Sequence, residues 1–231
     1  GGVCQVSTTL YNAVLKAELE VTQRSNHSMI VTYVKPSMDA AIAGDYKDLK
    51  FVNNLDAPIY IEGYTVGKDI YFNIYGQETR PSNRKVTYES EVVSEEDPGT
   101  QFVATGDAIG SISTTQGKHM GYVARLWKIV TVDGVEQSRD AINKSTYKSS
   151  PKIVNVGTAS ADPNAVAAVN AALATGDEAT IYATVAQYSG AGQTPSEAPA
   201  EAPADSSAEA AAILGTVDES QITGNTTTEG Q

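Results

Sequence analysis

Residues 3–17, Val3-Cys4-Gln5-Val6-Ser7-Thr8-Thr9-Leu10-Tyr11-Asn12-Ala13-Val14-Leu15-Lys16-Ala17, decide how the chain begins. Val6, Leu10, Ala13, Val14 and Ala17 recur at three- and four-residue steps, the apolar stripe of an amphipathic helix. Ser7, Thr8, Asn12 and Lys16 fall off that stripe. The helix should fade near Glu20, where β-branched residues begin. Residues 27–34 are rich in strand formers, and Lys35-Pro36-Ser37 ends them. Residues 48–52 form another short strand candidate. Residues 58–66 and 70–75 flank Gly67-Lys68-Asp69, a turn of hairpin composition. Ile70, Phe72 and Ile74 share one face of the second strand, and Tyr71, Asn73 and Tyr75 the other. One helix followed by antiparallel strands is an α+β pattern.

Beyond this unit, residues 77–83 read as a linker around Arg80-Pro81-Ser82-Asn83. Residues 84–158 give only strand signals, at 85–93, 122–132 and 152–156, separated by Pro98-Gly99, Gly106, Gly110, Gly117 and Gly121. Asp133-Gly134 between two apolar runs is a strong hairpin signal. The expectation is an elongated all-β module that folds independently. Asp162-Pro163 offers a helix start and Gly176 a stop, but residues 159–188 read as a weakly structured Ala-rich segment. Residues 193–207 are largely Pro, Ala, Ser and Glu, too poor in apolar bulk for a core, and residues 189–231 read as a disordered acidic tail.

Charge supports this division. The chain of 231 residues carries 16 Lys+Arg against 28 Asp+Glu. Residues 1–157 hold all 16 basic residues and 18 of the acids, while residues 158–231 hold 10 acids and no Lys, Arg or His. The acidity belongs to the tail. Without a basic stripe the chain is not expected to bind nucleic acid, and no run of about 18 apolar residues suggests a membrane span. One cysteine leaves no internal disulfide framework. The chain opens on Gly1-Gly2 with no initiator Met, which reads as a fragment cut from a longer protein, so a missing signal peptide carries no information.

That cysteine is the sharpest chemical feature. Cys4 sits where the helix should begin, and a helix N-terminus favours thiolate. Free amides there, that of Gln5 among them, could hold an oxyanion. His27 could return to Cys4 as base, and Asp39, after the Pro36-Ser37 turn, could orient the imidazole. The bland alternative is a small buried hydrophobe at Cys4. Cys4, His27 and Asp39 could also ligate zinc, although no paired ligand spacing supports it. No metal and no cofactor is expected.

The stretch from Gly1 through Gly2-Val3-Cys4-Gln5-Val6-Ser7-Thr8-Thr9-Leu10-Tyr11-Asn12-Ala13 resembles the signature of the VanW family. The resemblance continues through Arg24-Ser25-Asn26-His27-Ser28, Asp39-Ala40, residues 48–54 and Pro58-Ile59-Tyr60-Ile61. It covers residues 1–76 as the C-terminal part of such a domain, truncated at its N-terminus. What it implies is L,D-transpeptidase activity on peptidoglycan stem peptides, with Cys4 as nucleophile and a thioester intermediate. His27 would be the base. Arg24 would hold a substrate carboxylate, or else be a solvated surface charge.

Residues 84–158, through Gly99, Gly106, Gly110 and Gly157, resemble the G-five domain, an extracellular β module. That implies binding to N-acetylglucosamine-containing glycans, with Tyr122 and Trp127 as candidate stacking residues. Together the resemblances imply a vancomycin resistance-associated type of cell-wall enzyme. It would be extracellular, held at the wall or membrane by a missing N-terminal segment. Two alternatives stand beside the transpeptidase: a non-catalytic wall- or glycan-binding protein, and a cysteine peptidase or amidase that resolves the thioester with water.

Overall fold

The computed structural model describes residues 2–190. The chain opens with helix α1, Val3–Lys16, entered through Gly2 at φ +97, a left-handed conformation that side chains with a Cβ rarely adopt. Strand β1, Glu20–Gln23, pairs antiparallel with β2, Lys50–Val52. Between them, residues 24–40 run as irregular chain. This corrects the strand expected over residues 27–34. Its β-branched residues sit in a loop, where the His27 backbone bonds to the Asp39 and Asn26 side chains and the Ser28 carbonyl accepts from Lys148 N–H, with no strand ladder beside them. Strands β3, Tyr60–Val66, and β4, Asp69–Tyr75, form the expected hairpin, with Ile61 opposite Ile74 and Gly63 opposite Phe72. Strand β4 packs on α1, and the Tyr64 and Tyr71 rings stack across the rungs at 5.2 Å.

The helix holds its expected period but turns a different face inward. Its buried residues are Ser7, Thr8, Tyr11, Val14 and Leu15, while Val6 is 39% exposed. A half-polar buried face requires partners, and the irregular chain supplies them. Cys4 meets Ile42, Thr8 meets Ala40, and Asn12 meets Met38. Four residues of helix rise about 6 Å and two residues of extended chain about 6.6 Å, so the two run antiparallel in step.

The second unit contains two three-stranded sheets. Strands β5, Arg84–Glu96, β6, Thr100–Ala108, and β7, Ile112–Gln116, come first. Strands β8, Gly121–Val132, β9, Val135–Tyr147, and β10, Lys152–Ala159, follow. One sheet has the order β5-β8-β9, joined through the Asp133-Gly134 turn, and the other β6-β10-β7. Strand β10 runs parallel to β6 and so close that a Cβ on Gly157 would lie 2.2 Å from the Ala108 carbonyl oxygen. Only glycine fits there.

Residues 159–188 are better ordered than their composition suggests. Helix α2, Pro163–Thr175, is capped by Asp162 and stopped by Gly176, and α3, Glu178–Tyr188, is capped by Asp177. Val169, Ala172, Ile181 and Val185 bury against Val154 and Val156 of β10, and Tyr182 meets Phe102 edge to face. Alanine reads as weak in composition, yet it permits close helix–sheet approach. The expected acidic tail lies outside the described residues.

The β5-β8-β9 sheet is not free-standing. Strand β8 carries no extra residue, so Ala124, Leu126 and Lys128 share one face with Tyr122, and Arg125 and Trp127 share the other. Leu126, 0% exposed, joins Tyr11, Leu15, Met38 and Ala40 in one core cluster. The putty between the units is therefore apolar, with polar bonds around it. Tyr88 donates to the Leu15 carbonyl at 2.5 Å, and Ser90 to that of Pro36 at 2.6 Å. The expected linker is also tied down, because Arg80 pairs with Glu18 and Glu78.

Candidate active site

Cys4 is the second residue of α1, half-buried, in a first turn that no side chain caps. The amides of that turn, including that of exposed Gln5, have no intrahelical acceptor. The sulfur is bracketed by one residue: Ile42 N–H donates to Sγ at 3.5 Å, and Sγ donates to the Ile42 carbonyl at 3.6 Å. Ser7 and Thr8 are buried against Ala40, which fixes the pitch at which the helix presents Cys4.

Asp39 is the centre of the polar network, at 0% exposure. Its Oδ2 accepts from the His27 backbone N–H and from His27 Nδ1, each at 2.7 Å. Its Oδ1 accepts from Arg24 Nη2 at 2.8 Å and from the Tyr147 hydroxyl at 2.5 Å. Burial pushes the Asp39 pKa up, but the Tyr147 hydroxyl, the two His27 bonds and the Arg24 charge outweigh it and hold the carboxyl below its ordinary range. An ionised Asp39 makes His27 Nδ1 the protonated nitrogen and Nε2 the acceptor, a tautomer assigned here from the network.

Nε2 faces Tyr33, whose hydroxyl lies 3.3 Å away. Burial raises the Tyr33 pKa, with Thr8 and the field of Cys4 also acting on its hydroxyl. Tyr33 thus faces the ring nitrogen of His27 that Asp39 does not hold. The sequence reading did not single it out. Its signal was present, an aromatic residue within the His27-to-Asp39 loop, but nothing in spacing showed that it would meet the imidazole.

Arg24 is not the solvated surface charge that was one expectation for it: its side chain is 7% exposed and bonded to protein groups. Nε donates to the Asp39 carbonyl at 2.6 Å, and Nη1 to Ser145 Oγ at 2.8 Å. Its guanidinium also lies 5.6 Å from the Tyr11 ring centroid. Asp39 likewise has both carboxylate oxygens filled by protein donors, an arrangement that suits an orienting group better than a metal ligand.

Strand β9 supplies the far side of this network. Asn143 Nδ2 donates to the Ser37 carbonyl at 3.0 Å, Ser37 Oγ meets Ser145 Oγ at 2.9 Å, and Ser37 N–H donates to the Tyr147 hydroxyl at 2.8 Å. All three polar groups of Ser37 are thus held by alternate residues of one strand. Ser37 has φ +66, a strained value that persists where surroundings fix it. A cleft of about 370 Å³ opens along the same seam, with Arg24, Tyr11, Glu18 and Asn143 among its lining.

The two candidate sugar-stacking residues are not brought together. Tyr122 lies opposite Tyr147 on the docked face. Trp127 lies on the other face, where Nε1 donates to Glu91 at 2.6 Å. They cannot form one platform.

Comparison with known proteins fits this division. Residues 1–75 match the family described as VanW like protein, and residues 78–159 the G5 domain. A Bacillus subtilis (strain 168) protein, "Uncharacterized protein YoaR", is 38% identical over 78 residues, which are 34% of this chain and 26% of that protein. The chain spans about a quarter of that relative's length. Among solved structures, an IgA1 protease G5 domain is 26% identical over 33% of this chain and 94% of its own, with a TM-score of 0.25. The crystal structure of HP0197-G5 is 20% identical over 32% of this chain and 99% of its own, with a TM-score of 0.18. Among the described residues no helix is long and apolar enough to cross a membrane. The chain carries a VanW-like domain followed by a G5 domain, a binding module, and this pair marks a cell-wall-associated protein.

Proposed function

We propose that the VanW-like domain is a cysteine-dependent acyl transferase acting on peptidoglycan stem peptides, an L,D-transpeptidase, and that the G5 domain binds N-acetylglucosamine-containing wall glycans. The observation that carries the enzymatic half is the His27–Asp39 pair at 2.7 Å, in a chain whose one cysteine stands at an uncapped helix start. A lone buried cysteine needs neither.

In this reading His27 Nε2 takes the Cys4 proton, displacing the Tyr33 hydroxyl or receiving the proton through it. The thiolate attacks the carbonyl carbon that precedes the terminal D-alanine of a tetrapeptide stem. Negative charge collects on that oxygen, facing the free first-turn amides such as that of Gln5. The C–N bond breaks, D-alanine leaves with the proton held by His27, and a thioester remains on Cys4. An amine of a neighbouring stem then attacks the thioester and gives its proton to His27. The C–S bond breaks, a new amide cross-link forms and the Cys4 thiol is restored. Asp39 stabilises the imidazolium in both halves.

Liquid chromatography and mass spectrometry of donor and acceptor stems, incubated with the full-length protein, tests this. A cross-linked dimer is expected, falling about 10²- to 10⁴-fold with His27→Ala. Equal product from His27→Ala would remove the base from the mechanism. D-alanine release without dimer would convert the reading to a peptidase or amidase.

The Tyr33 contact at Nε2 favours one second reading. A histidine whose free nitrogen is capped suits a wall-binding domain without catalysis. Retained binding to wall glycan with neither dimer nor released D-alanine would select it.

A further inference from the structure

We propose that strand β9 of the G5 domain is a working part of the VanW-like site, with Tyr147 as the positioning residue that holds Asp39 for His27. This rests on the reading that His27 serves Cys4, and it adds that the site is incomplete without the second domain.

The argument begins with the strand. Residues 143, 145 and 147 project from one face of β9, and each reaches the segment that carries Asp39. Asn143 and Ser145 secure the Ser37 carbonyl and hydroxyl, and Tyr147 secures its amide. The turn that aims Asp39 is therefore fixed from outside its own domain. Tyr147 then does a second task with the same hydroxyl. It accepts from Ser37 N–H and donates to Asp39 Oδ1. That donor fixes the carboxylate plane, leaving Oδ2 to receive both the ring and the backbone N–H of His27. Ser145 completes the arrangement through Arg24, the other donor to Oδ1.

The alternative is plain domain packing, in which β9 merely fills space. Packing alone does not require three successive inward residues of one strand to be polar, each bonded to the segment leading to a carboxylate. Nor does it place a buried tyrosine hydroxyl on a carboxylate that already holds a histidine and an arginine. The seam's apolar contact is made by Leu126 of β8 rather than by these β9 residues.

The test reads His27 by NMR in the full chain, where the only other histidine is His119. The ring N–H bonded to Asp39 should give a protected downfield resonance in the wild type. Tyr147→Phe should broaden it beyond detection or move it clearly upfield, while Tyr182→Phe, on α3, should leave it unchanged. Thermal melting run in parallel establishes that each variant is folded. If Tyr147→Phe does not fold, Ser145→Ala replaces it, with the same expected loss. An unaltered resonance in a folded variant overturns the proposal. Failure of the functional reading looks different: the resonance would respond as described while the wild type forms no cross-link. Cross-linking at the wild-type rate in Tyr147→Phe would overturn the positioning role and leave the functional reading standing.

Discussion

Two acids lie on the seam between the domains, and they have opposite characters. Glu18, 11% exposed, accepts from Arg84, Lys128 and Arg80, two of them from the G5 sheet and one from the connecting segment. Asp39 is sealed at 0% and accepts from one guanidinium, one tyrosine hydroxyl and one imidazole. Around Glu18 every partner is a cationic side chain that donates to the carboxylate. Around Asp39 one partner, His27, keeps a second ring nitrogen that the carboxylate does not hold and that faces the Tyr33 hydroxyl. Pairing builds a clamp at the first acid. At the second it builds a device for orienting a base, and a titratable neighbour makes the difference.

Breaking the sealed acid should cost most. Asp39→Ala strands Arg24 as an unpaired buried charge, so about 3–5 kcal/mol of stability should be lost in chemical denaturation. A loss below about 1 kcal/mol would mean that water replaces the carboxylate freely, and the contrast with Glu18 would vanish. Next comes the apolar contact between the two acids. Leu126→Ala should cost about 2–4 kcal/mol, and it should loosen both domains in one transition. Two separate melts would show that the units were never coupled.

Glu18→Gln should cost less, about 1–2 kcal/mol, because solvent screens its partly exposed partners. The pH dependence follows from its pKa. The Arg84 bonds lead, burial opposes them, and Lys128 and Arg80 add to bring it from 4.5 down to about 2. A lowered carboxyl pKa means that this stability is complete above about pH 4.5 and is lost as pH falls toward 2. Glu18→Gln should therefore flatten the acid limb of a stability–pH curve. An unchanged limb would assign acid sensitivity to Asp39 instead. The smallest effect belongs to Trp127. Trp127→Ala should leave stability within about 0.5 kcal/mol while weakening glycan binding, which a polysaccharide pull-down measures. Undiminished binding would place the G5 ligand elsewhere.

The elements legible in the sequence were those set by neighbours along the chain. Gly67-Lys68 and Asp133-Gly134 marked their hairpins, Asp162-Pro163 and Gly176 bounded α2, and the glycine entry placed Cys4 at a helix start. What stayed hidden depended on distant partners. Ser7 and Thr8 looked like a solvent face because nothing local announces that residues 38–42 will cover them. Residues 27–34 had strand composition without a strand to pair with. Arg24 looked free because its partner Ser145 lies 121 positions away, and Tyr147 reaches Asp39 over a gap of 108. Residues 159–188 hid for a different reason. Apart from Ile181, their buried face is built from alanine and valine, which composition scores as weak and a closely packed sheet does not.

The central claim is that Cys4 is a nucleophile served by this network, and the intact mass of the full-length protein tests it most directly. After brief incubation with a tetrapeptide stem, the wild type should gain the mass of the acyl tripeptide and release an equal amount of D-alanine. Cys4→Ala, folded and melting as the wild type does, should gain nothing. The loss of a nucleophile lowers such a rate by about 10³-fold or more, well beyond any packing effect at that position. A wild type that keeps its own mass and releases no D-alanine would contradict the account, as would an adduct that survives in Cys4→Ala.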